Sequence, residues 1–121
     1  MDDTPLPRAM VLKPHAPEGQ PIQLNAGDPV RVGEESVPYP GWVRITAPDG
    51  SGTWVPEGYV RGEGRAGRML VDYDSTELTV KERDEVTVLL ENKGWAWVRT
   101  DDGREGWLPL EILGPYSFQA V

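Results

Sequence analysis

Short runs of β-branched and aromatic residues alternate with Gly, Pro and charged clusters along this chain, and the order of the runs occurs twice. Residues 42–56 match 95–109 at a constant offset of 53, and residues 27–32 match 83–88 at an offset of 56. The offset changes only where the first copy has a longer loop, at 37–41. Length changes confined to loops are compatible with a shared strand framework. The repeat therefore predicts two copies of one small all-β domain.

The two copies are predicted at 8–60 and 68–113, with a linker at 61–67 and a C-terminal tail at 114–121. The linker has three glycines, two arginines and no large apolar residue, so we expect it to be short and flexible. Alternation gives each copy seven inward-facing apolar positions and favours a five-stranded β-barrel. These positions are Leu12, Ile22, Leu24, Val30, Val32, Ile45 and Val55 in the first copy, and Leu70, Leu78, Val80, Val86, Val88, Val98 and Leu108 in the second.

Composition and charge limit the class of protein. The chain has no cysteine, so disulfides, thiolate catalysis and Cys-ligated metal sites are excluded. The net charge is −8, which opposes the phosphate backbone of nucleic acids and favours a basic or neutral peptide. No apolar run is long enough for a membrane helix, and the N-terminus shows no export signal. We therefore expect a cytoplasmic protein that binds neither nucleic acid nor membrane.

The five tryptophans are the main functional signal. Trp95 and Trp97 alternate with Ala96 and Val98, so the two indoles lie on the outer side of their strand if Val98 faces the core. Trp42 and Trp107 occupy positions where we also expect partial exposure. Grooves lined by aromatic side chains bind extended proline-rich peptides, because a polyproline II ligand is already ordered. The alternative is that the tryptophans seal an interface between the copies.

The block order resembles that of Src-homology-3 (SH3) domains, in tandem. The family opens on Ala-Leu-Tyr-Asp-Tyr, and Met69-Leu70-Val71-Asp72-Tyr73 is similar to this block. The resemblance implies an SH3-like barrel in each copy and a peptide groove built from aromatic and proline side chains. The matching groove positions are Trp42, Pro56 and Tyr59 with Trp54 beside them in the first copy, and Tyr73, Trp95 and Pro109 with Trp107 beside them in the second.

Each copy keeps a different half of the family's groove. Lys13 and His15 stand at the two opening tyrosine positions of the first copy, and Val71 and Ile112 replace tyrosines in the second. The loop after Tyr73 is short but retains Asp74 and Glu77. In SH3 domains such acids pair with an Arg or Lys of the ligand, so the resemblance implies a bias toward basic peptides.

Residues for catalysis are scarce. His15 is the single histidine, and no phosphate-binding Gly-rich motif precedes a helix. The sequence therefore predicts neither an enzyme, nor a cofactor, nor a metal site.

We accordingly expect a protein that binds a protein or extended peptide, through one face around Trp42, Trp54 and Tyr59 and another around Tyr73, Trp95, Trp97 and Trp107. Two alternatives stay open. The tryptophans could be buried between the copies or in a larger assembly, or the chain could bind cell-wall material, as bacterial SH3-like repeats do.

Overall fold

The computed structural model describes residues 5–17 and 19–118, and this part of the chain is all-β. The strands are Arg8–Met10 (β1), Gln23–Leu24 (β2), Pro29–Glu35 (β3), Trp42–Thr46 (β4), Gly52–Pro56 (β5), Val60–Glu63 (β6), Ala66–Met69 (β7), Tyr73–Asp74 (β8), Glu85–Asn92 (β9), Trp95–Thr100 (β10) and Glu105–Pro109 (β11). Two single-turn 3₁₀ helices, Glu57–Tyr59 and Leu110–Ile112, follow β5 and β11. Within the described ranges, no helix is long and apolar enough to span a membrane.

The chain divides into two compact units, and one of them is discontinuous in sequence. Unit 1 comprises Met1–Gly19 and Thr76–Val121, and unit 2 comprises Gln20–Ser75. The predicted division at 61–67 therefore differs from the observed one. The segment 8–19, predicted in the first copy, belongs to unit 1, and 68–75, predicted in the second, belongs to unit 2.

Unit 1 contains an antiparallel sheet in the order β1-β9-β10-β11. The N-terminal β1 lies beside β9, with Ala9 opposite Val86. The Arg8 guanidinium donates hydrogen bonds of 2.7 and 3.2 Å to the Asp101 carboxylate, and this bonding lowers the pKa of Asp101. The C-terminal segment covers the other side of β1, where Arg8 and Ser117 exchange backbone hydrogen bonds of 2.7 and 2.8 Å. The first strand of unit 1 therefore comes from the opposite end of the sequence.

The core of unit 1 consists of apolar side chains from all of these elements. Its buried members are Ala9, Val11, Leu78, Val80, Val86, Val88, Ala96, Val98, Leu108, Ile112 and Leu113. Burial of such side chains contributes about 1.5–3 kcal/mol each before conformational entropy is subtracted. Two members, Ala9 and Val11, precede the rest in sequence by more than 60 residues, so the core forms only when both ends of the chain meet.

Unit 2 contains a five-stranded antiparallel sheet in the order β5-β4-β3-β7-β6 and a separate two-stranded sheet, β2-β8. Strand β7 lies between β3 and β6, with Val30 opposite Gly67 and Val60 opposite Met69. Leu24, Val30, Ile45, Val55 and Met69 are buried. The sheets of the two units do not confirm the predicted pair of closed five-stranded barrels.

The predicted linker, 61–67, is a structured hairpin rather than a flexible connection. Strands β6 and β7 are separated by Gly64 and Arg65 alone, and Gly64 has a φ of +60°, as the first central residue of a type II′ turn requires. A Cβ at Gly62 would lie 2.2 Å from the Ala66 carbonyl oxygen, so this glycine permits close strand contact. The glycines that predicted a flexible linker are therefore part of a tight hairpin, in which β7 runs antiparallel to β6.

Most predicted inward-facing positions are buried, but two are wrong. Leu12 is 49% exposed and Leu70 is 50% exposed, whereas their neighbours Val11 and Met69 are buried. A shift of one residue moves every side chain of a strand to its opposite face. Both errors therefore follow from choosing the wrong member of two adjacent apolar residues.

The described part of the predicted tail packs on unit 1; residues 119–121 lie outside the described ranges. Tyr116 packs against the unit 1 core, while Phe118 is exposed. The Tyr116 hydroxyl is buried and forms no hydrogen bond of ordinary geometry with a described residue, although the Glu91 carboxylate lies near it. Burial, together with the proximity and negative charge of the Glu91 carboxylate, raises the pKa of Tyr116 to about 12.

Replacing Tyr116 by Phe should raise the free energy of unfolding by about 1 kcal/mol at neutral pH, because a buried hydroxyl without a partner is removed. The folded-state pKa of about 12 exceeds the ordinary value of 10.0, so the native protein retains this proton more tightly than the unfolded chain. The contribution of this pKa difference to the free energy of unfolding is complete below pH 10.0 and is lost as the pH rises through about 12. Urea unfolding between pH 7 and pH 11 should therefore show a smaller alkaline loss in Tyr116→Phe.

The matched control is Tyr73→Phe, which removes a hydroxyl that donates a 2.8 Å hydrogen bond to the Trp54 carbonyl oxygen. This change should lower the free energy of unfolding by about 1 kcal/mol. Equal destabilisation by both substitutions would show that the Tyr116 hydroxyl has a partner in solution.

Candidate functional site

Strands β10 and β11 place an aromatic face on unit 1. Antiparallel pairing sets Trp95 opposite Pro109 and Trp97 opposite Trp107. The Trp97 and Trp107 rings meet edge to face, with centroids 5.4 Å apart and planes at 76°, an arrangement that stabilises aromatic pairs. Ala96 and Val98 are fully buried on the other side, so the predicted orientation of Trp95 and Trp97 is confirmed.

The members of this face differ in exposure. Trp95 and Trp97 are half-buried, while Trp107 is only 5% exposed and Pro109 is buried. The expected partial exposure of Trp107 is therefore wrong. Its backbone is covered by the segment 76–78, since the Trp107 N–H donates to the Thr76 carbonyl at 2.8 Å and the Leu78 N–H donates to the Trp107 carbonyl at 3.3 Å. Trp107 and Pro109 thus form the floor of the face, and the other two indoles are available for contact.

His15 completes the unit 1 face. Its ring lies edge-on to Trp95 at a centroid distance of 6.1 Å, and its Nε2 is 2.7 Å from Glu77 Oε1. Backbone hydrogen bonds of 2.9 and 3.1 Å between His15 and Val80 hold it there. The sequence reading placed His15 in the first copy and gave it no role. No local pattern could have found it, because its contacts depend on the N-terminal segment joining unit 1.

Carboxylates border the same face. The Glu77 carboxylate contacts His15, and the His15 ring packs against Trp95. Glu105 accepts a 2.9 Å hydrogen bond from the Trp97 indole N–H. A half-exposed aromatic surface flanked by carboxylates is suited to a ligand that combines apolar and cationic groups. The predicted acid Asp74 belongs to unit 2, where it lies opposite Gln23 in the β2-β8 sheet.

Unit 2 has a second aromatic cluster. The Tyr59 and Tyr73 rings meet edge to face at 5.9 Å, and the Tyr73 hydroxyl donates a 2.8 Å hydrogen bond to the Trp54 carbonyl. Trp54 is 39% exposed, and the Arg44 guanidinium carbon lies 5.7 Å from its ring centroid. Tyr73, which was predicted to share a groove with Trp95, therefore belongs to the cluster of Trp54 and Tyr59 in unit 2.

Three predicted contact residues of unit 2 are buried, and one of them is Tyr73, which is 7% exposed. Trp42 is 4% exposed, so its expected partial exposure is wrong, and the opposing Pro56 is fully buried. The loop before Trp42 closes on it, since the Ser36 N–H donates to the Trp42 carbonyl at 2.7 Å and the Trp42 N–H donates to the Tyr39 carbonyl at 3.2 Å. Trp42 and Pro56 are thus structural residues of the cluster rather than its exposed surface.

Within the described ranges, no group of three or more His, Cys, Asp or Glu side chains could hold a metal ion.

Comparison with known proteins identifies part of unit 1. Residues 81–113, which include β9, β10, β11 and the following 3₁₀ helix, match the family described as "Bacterial dipeptidyl-peptidase Sh3 domain". A human protein, "Epidermal growth factor receptor kinase substrate 8-like protein 1", is 43% identical over 53 residues, which cover 40% of this chain and 7% of that protein. No solved structure matches significantly. Residues 81–113 therefore carry an SH3-family domain.

Proposed function

We propose that unit 1 is a non-catalytic module that binds an extended peptide across Trp95 and Trp97. The observation that carries the proposal is the pair of half-exposed indoles on one face of β10, supported by the buried Trp107 and Pro109. This surface lies largely within the segment that matches the SH3 family, whose domains bind proteins or peptides. Rigid aromatic anchors over a packed floor supply most of the affinity in such interfaces.

The ligand we propose is a proline-rich or otherwise extended peptide that carries an Arg or Lys. A polyproline II segment loses little conformational entropy on binding, and its rings pack against indoles. Glu77 and Glu105 border the face, and the net charge of the chain is −8, so a cationic residue is favoured. Exposed ion pairs contribute about 0–1 kcal/mol each, so the acids orient the ligand more than they hold it.

Unit 2 supports a second SH3-like copy in the same proposal. In unit 2, residues 29–63 form three consecutive antiparallel strands, a 3₁₀ turn and a further strand. Unit 1 has the same order of elements from residue 85 onward, and it ends at the bridge of Leu113. The exposed Trp54, with the half-buried Tyr59 and Asp74, would offer a second contact surface above the buried Tyr73. The cytoplasmic location and the exclusion of nucleic acid and membrane stay predictions from the sequence.

Replacing Trp95 by Ala should weaken binding of a proline-rich, Arg-containing peptide at least 10-fold, because a central aromatic anchor is removed. The strand scaffold should persist, since the ring is half-buried and its neighbours Ala96 and Val98 fill the core. Isothermal titration calorimetry gives the affinity, and far-ultraviolet circular dichroism monitors the fold.

The matched control is Phe118→Ala, which removes an exposed ring from the C-terminal segment of unit 1. This variant should bind as the unchanged protein does. Equal affinity in Trp95→Ala, or equal losses in both variants, would contradict a peptide site at Trp95.

One observation favours a second candidate, the binding of bacterial cell-wall peptides. The matching family is described as an Sh3 domain of bacterial dipeptidyl-peptidase, so a peptide related to that enzyme class is a reasonable ligand. Sedimentation of the protein with purified peptidoglycan tests this candidate. Loss of the sedimented fraction in Trp95→Ala would assign the ligand to the same face.

The alternative that the tryptophans are buried and structural is favoured only for Trp42 and Trp107, because both are buried. We assign them a structural role. Acrylamide quenching distinguishes them from the half-exposed Trp95 and Trp97 when each is studied in a single-tryptophan variant.

A further inference from the structure

The five-stranded sheet of unit 2 carries four of the five arginines in 20–75 on the side that faces away from the core. They are Arg44 on β4, Arg31 on β3, Arg68 on β7 and Arg61 on β6. All four are exposed, and they alternate along their strands with residues that pack inward, such as Ile45 beside Arg44 and Met69 beside Arg68. The fifth, Arg65, lies in the turn between β6 and β7.

These side chains form a diagonal row, because the strands that carry them are neighbours in the order β5-β4-β3-β7-β6. Thr46 lies opposite Arg31, so Arg31 and Arg44 are diagonal neighbours across the β3-β4 ladder. Pro29 lies opposite Arg68, so Arg31 and Arg68 are diagonal neighbours across the β3-β7 ladder. Three adjacent strands therefore each contribute one arginine to the same surface.

The row has a further member at each end. Arg61 lies directly opposite Arg68 on β6, and Trp54 lies directly opposite Arg44 on β5. Trp54 is exposed, and the Arg44 guanidinium carbon is 5.7 Å from its ring centroid. With strands about 4.8 Å apart, the row from Trp54 to Arg61, here called the arginine row, is about 20 Å long.

Within the described part of the chain, the arginines of this row form no ion pair with a carboxylate. The Arg68 guanidinium donates a 3.0 Å hydrogen bond to the Gly27 carbonyl oxygen. Two acids lie in the same strands, Glu34 in β3 and Glu63 opposite Ala66 in β6, and neither pairs with the row. The arginine row is therefore a local positive surface on a chain of net charge −8.

The equivalent positions of unit 1 carry no charge. The repeat offsets of 53 and 56 and the matching ladders β1-β9 and β7-β3 align Arg44 with Trp97, Arg31 with Thr87 and Arg68 with Met10. The arginines that the unit 1 sheet does carry lie against acids, since Arg8 bonds Asp101 and Arg99 lies opposite Glu105. The positive surface is therefore particular to unit 2.

Glycine on both sides of Arg44 gives its side chain room. A Cβ at Gly52 would lie 2.6 Å from Arg44 Nη2, and a Cβ at Gly33 would lie 3.4 Å from Arg44 Cβ. Position 52 corresponds to Glu105 in unit 1, whose carboxylate borders the aromatic face there. Unit 2 therefore lacks that carboxylate, and the Arg44 guanidinium lies over Trp54 instead.

We infer that the arginine row of unit 2 binds an acidic peptide segment of a protein partner, with an apolar residue against Trp54 and carboxylates along the arginines. All basic residues of unit 2 are arginine, whose guanidinium forms bidentate hydrogen bonds with carboxylates. Six extended residues span about 20 Å, which matches the length of the row. The inference goes beyond the basic ligand proposed for unit 1, and it uses residues of unit 2 alone.

An acidic peptide is favoured over a nucleic acid because the rest of the molecule is negative. Unit 2 as a whole has eight acids against its five arginines, and the full chain has a net charge of −8. This charge opposes the approach of a long phosphate backbone, which extends beyond the row. A short segment with a few carboxylates contacts the row alone, where the charges are complementary.

The probe is the capped hexapeptide acetyl-Pro-Pro-Glu-Asp-Glu-Asp-amide, titrated into the ¹⁵N-labelled full chain. The backbone amides of Arg31 and Arg44 and the indole N–H of Trp54 should shift in a saturable manner. The indole signals of Trp95 and Trp97 should not move. The uncharged counterpart acetyl-Pro-Pro-Gln-Asn-Gln-Asn-amide should bind about 10-fold more weakly, because the charge-assisted hydrogen bonds are lost.

Arg44→Gln should weaken binding of the acidic peptide about 10-fold, because a central guanidinium of the row is removed. The control Arg65→Gln removes the same charge from the exposed turn between β6 and β7, and it should change the affinity by less than about 2-fold. Gly52→Glu places a carboxylate beside Arg44 and should weaken binding at least as much as Arg44→Gln. The fold should tolerate this change, since the group displaced is the flexible end of the Arg44 side chain.

Three results would overturn the inference. The first is the absence of a saturable shift at Arg44 and Trp54 with millimolar acidic peptide, and the second is an equal loss of affinity in Arg44→Gln and Arg65→Gln. The third is tighter binding of hexathymidylate than of the acidic peptide, which would assign the row to a phosphate backbone. None of these results bears on the Trp95 face, whose indole signals are recorded in the same spectra.

Discussion

Two fragments, 1–64 and 65–121, should each be unfolded alone and should recover the native β spectrum when mixed. Fragment 65–121 contains the segment that matches the SH3 family but lacks β1, the partner of β9, and the core residues Ala9 and Val11. Fragment 1–64 lacks β7, which pairs with both β3 and β6 in unit 2. Each unit therefore needs strands from both fragments. Circular dichroism and urea unfolding of the single fragments and the equimolar mixture measure this.

The division predicted from sequence, at 61–67, implies the opposite result for fragment 65–121. A self-contained domain at 68–113 would fold within fragment 65–121 and show a cooperative urea transition without its partner. Such a transition would contradict the observed arrangement, in which β1 completes unit 1 and β7 belongs to unit 2. A mixture in which fragment 1–64 carries Val11→Asp is the matched control, and it should not recover the native spectrum, because the strand that completes unit 1 can no longer be buried.

In the full chain, Val11→Asp should lower the free energy of unfolding by more than about 3 kcal/mol, because it places an unpaired carboxylate in the core of unit 1. Leu12→Asp should change it by less than about 0.5 kcal/mol, since this neighbour is 49% exposed. Urea midpoints at equal m-values measure the difference. Met69→Asp and Leu70→Asp form the same kind of pair in unit 2, where Met69 is buried and Leu70 is exposed. Greater damage from the Leu12 or Leu70 substitution would show that the alternation predicted from sequence is correct.

The repeat and the alternation of apolar residues were sufficient to predict an all-β chain and most of its core. They could not assign the first strand of each unit, because Val11 and Met69 occupy equivalent positions and either can complete a similar sheet. The assignment depends on the turn at Gly64 and Arg65. A two-residue turn directs β7 back along β6, so β7 must pair in unit 2 and β1 is left for unit 1.

The candidate site was predictable to the same extent. Alternation within one strand placed Trp95 and Trp97 outward, and this holds because Ala96 and Val98 are core residues. The burial of Trp42 and Trp107 depends on segments distant from their own strands, such as 76–78 over Trp107, and local patterns carry no information about such contacts. Tyr73 groups with Trp54, and His15 with Trp95, because the segment 68–75 belongs to unit 2 and the segment 8–19 belongs to unit 1.

The peptide-binding proposal is tested most directly by a two-dimensional ¹H–¹⁵N spectrum of the full chain, recorded while a set of proline-rich peptides containing Arg is titrated. The five indole N–H signals report the five tryptophans separately. We predict that the signals of Trp95 and Trp97 shift in a saturable manner, while those of the buried Trp42 and Trp107 change little. Absence of any shift at Trp95 and Trp97 across the peptide set would contradict a peptide site on unit 1.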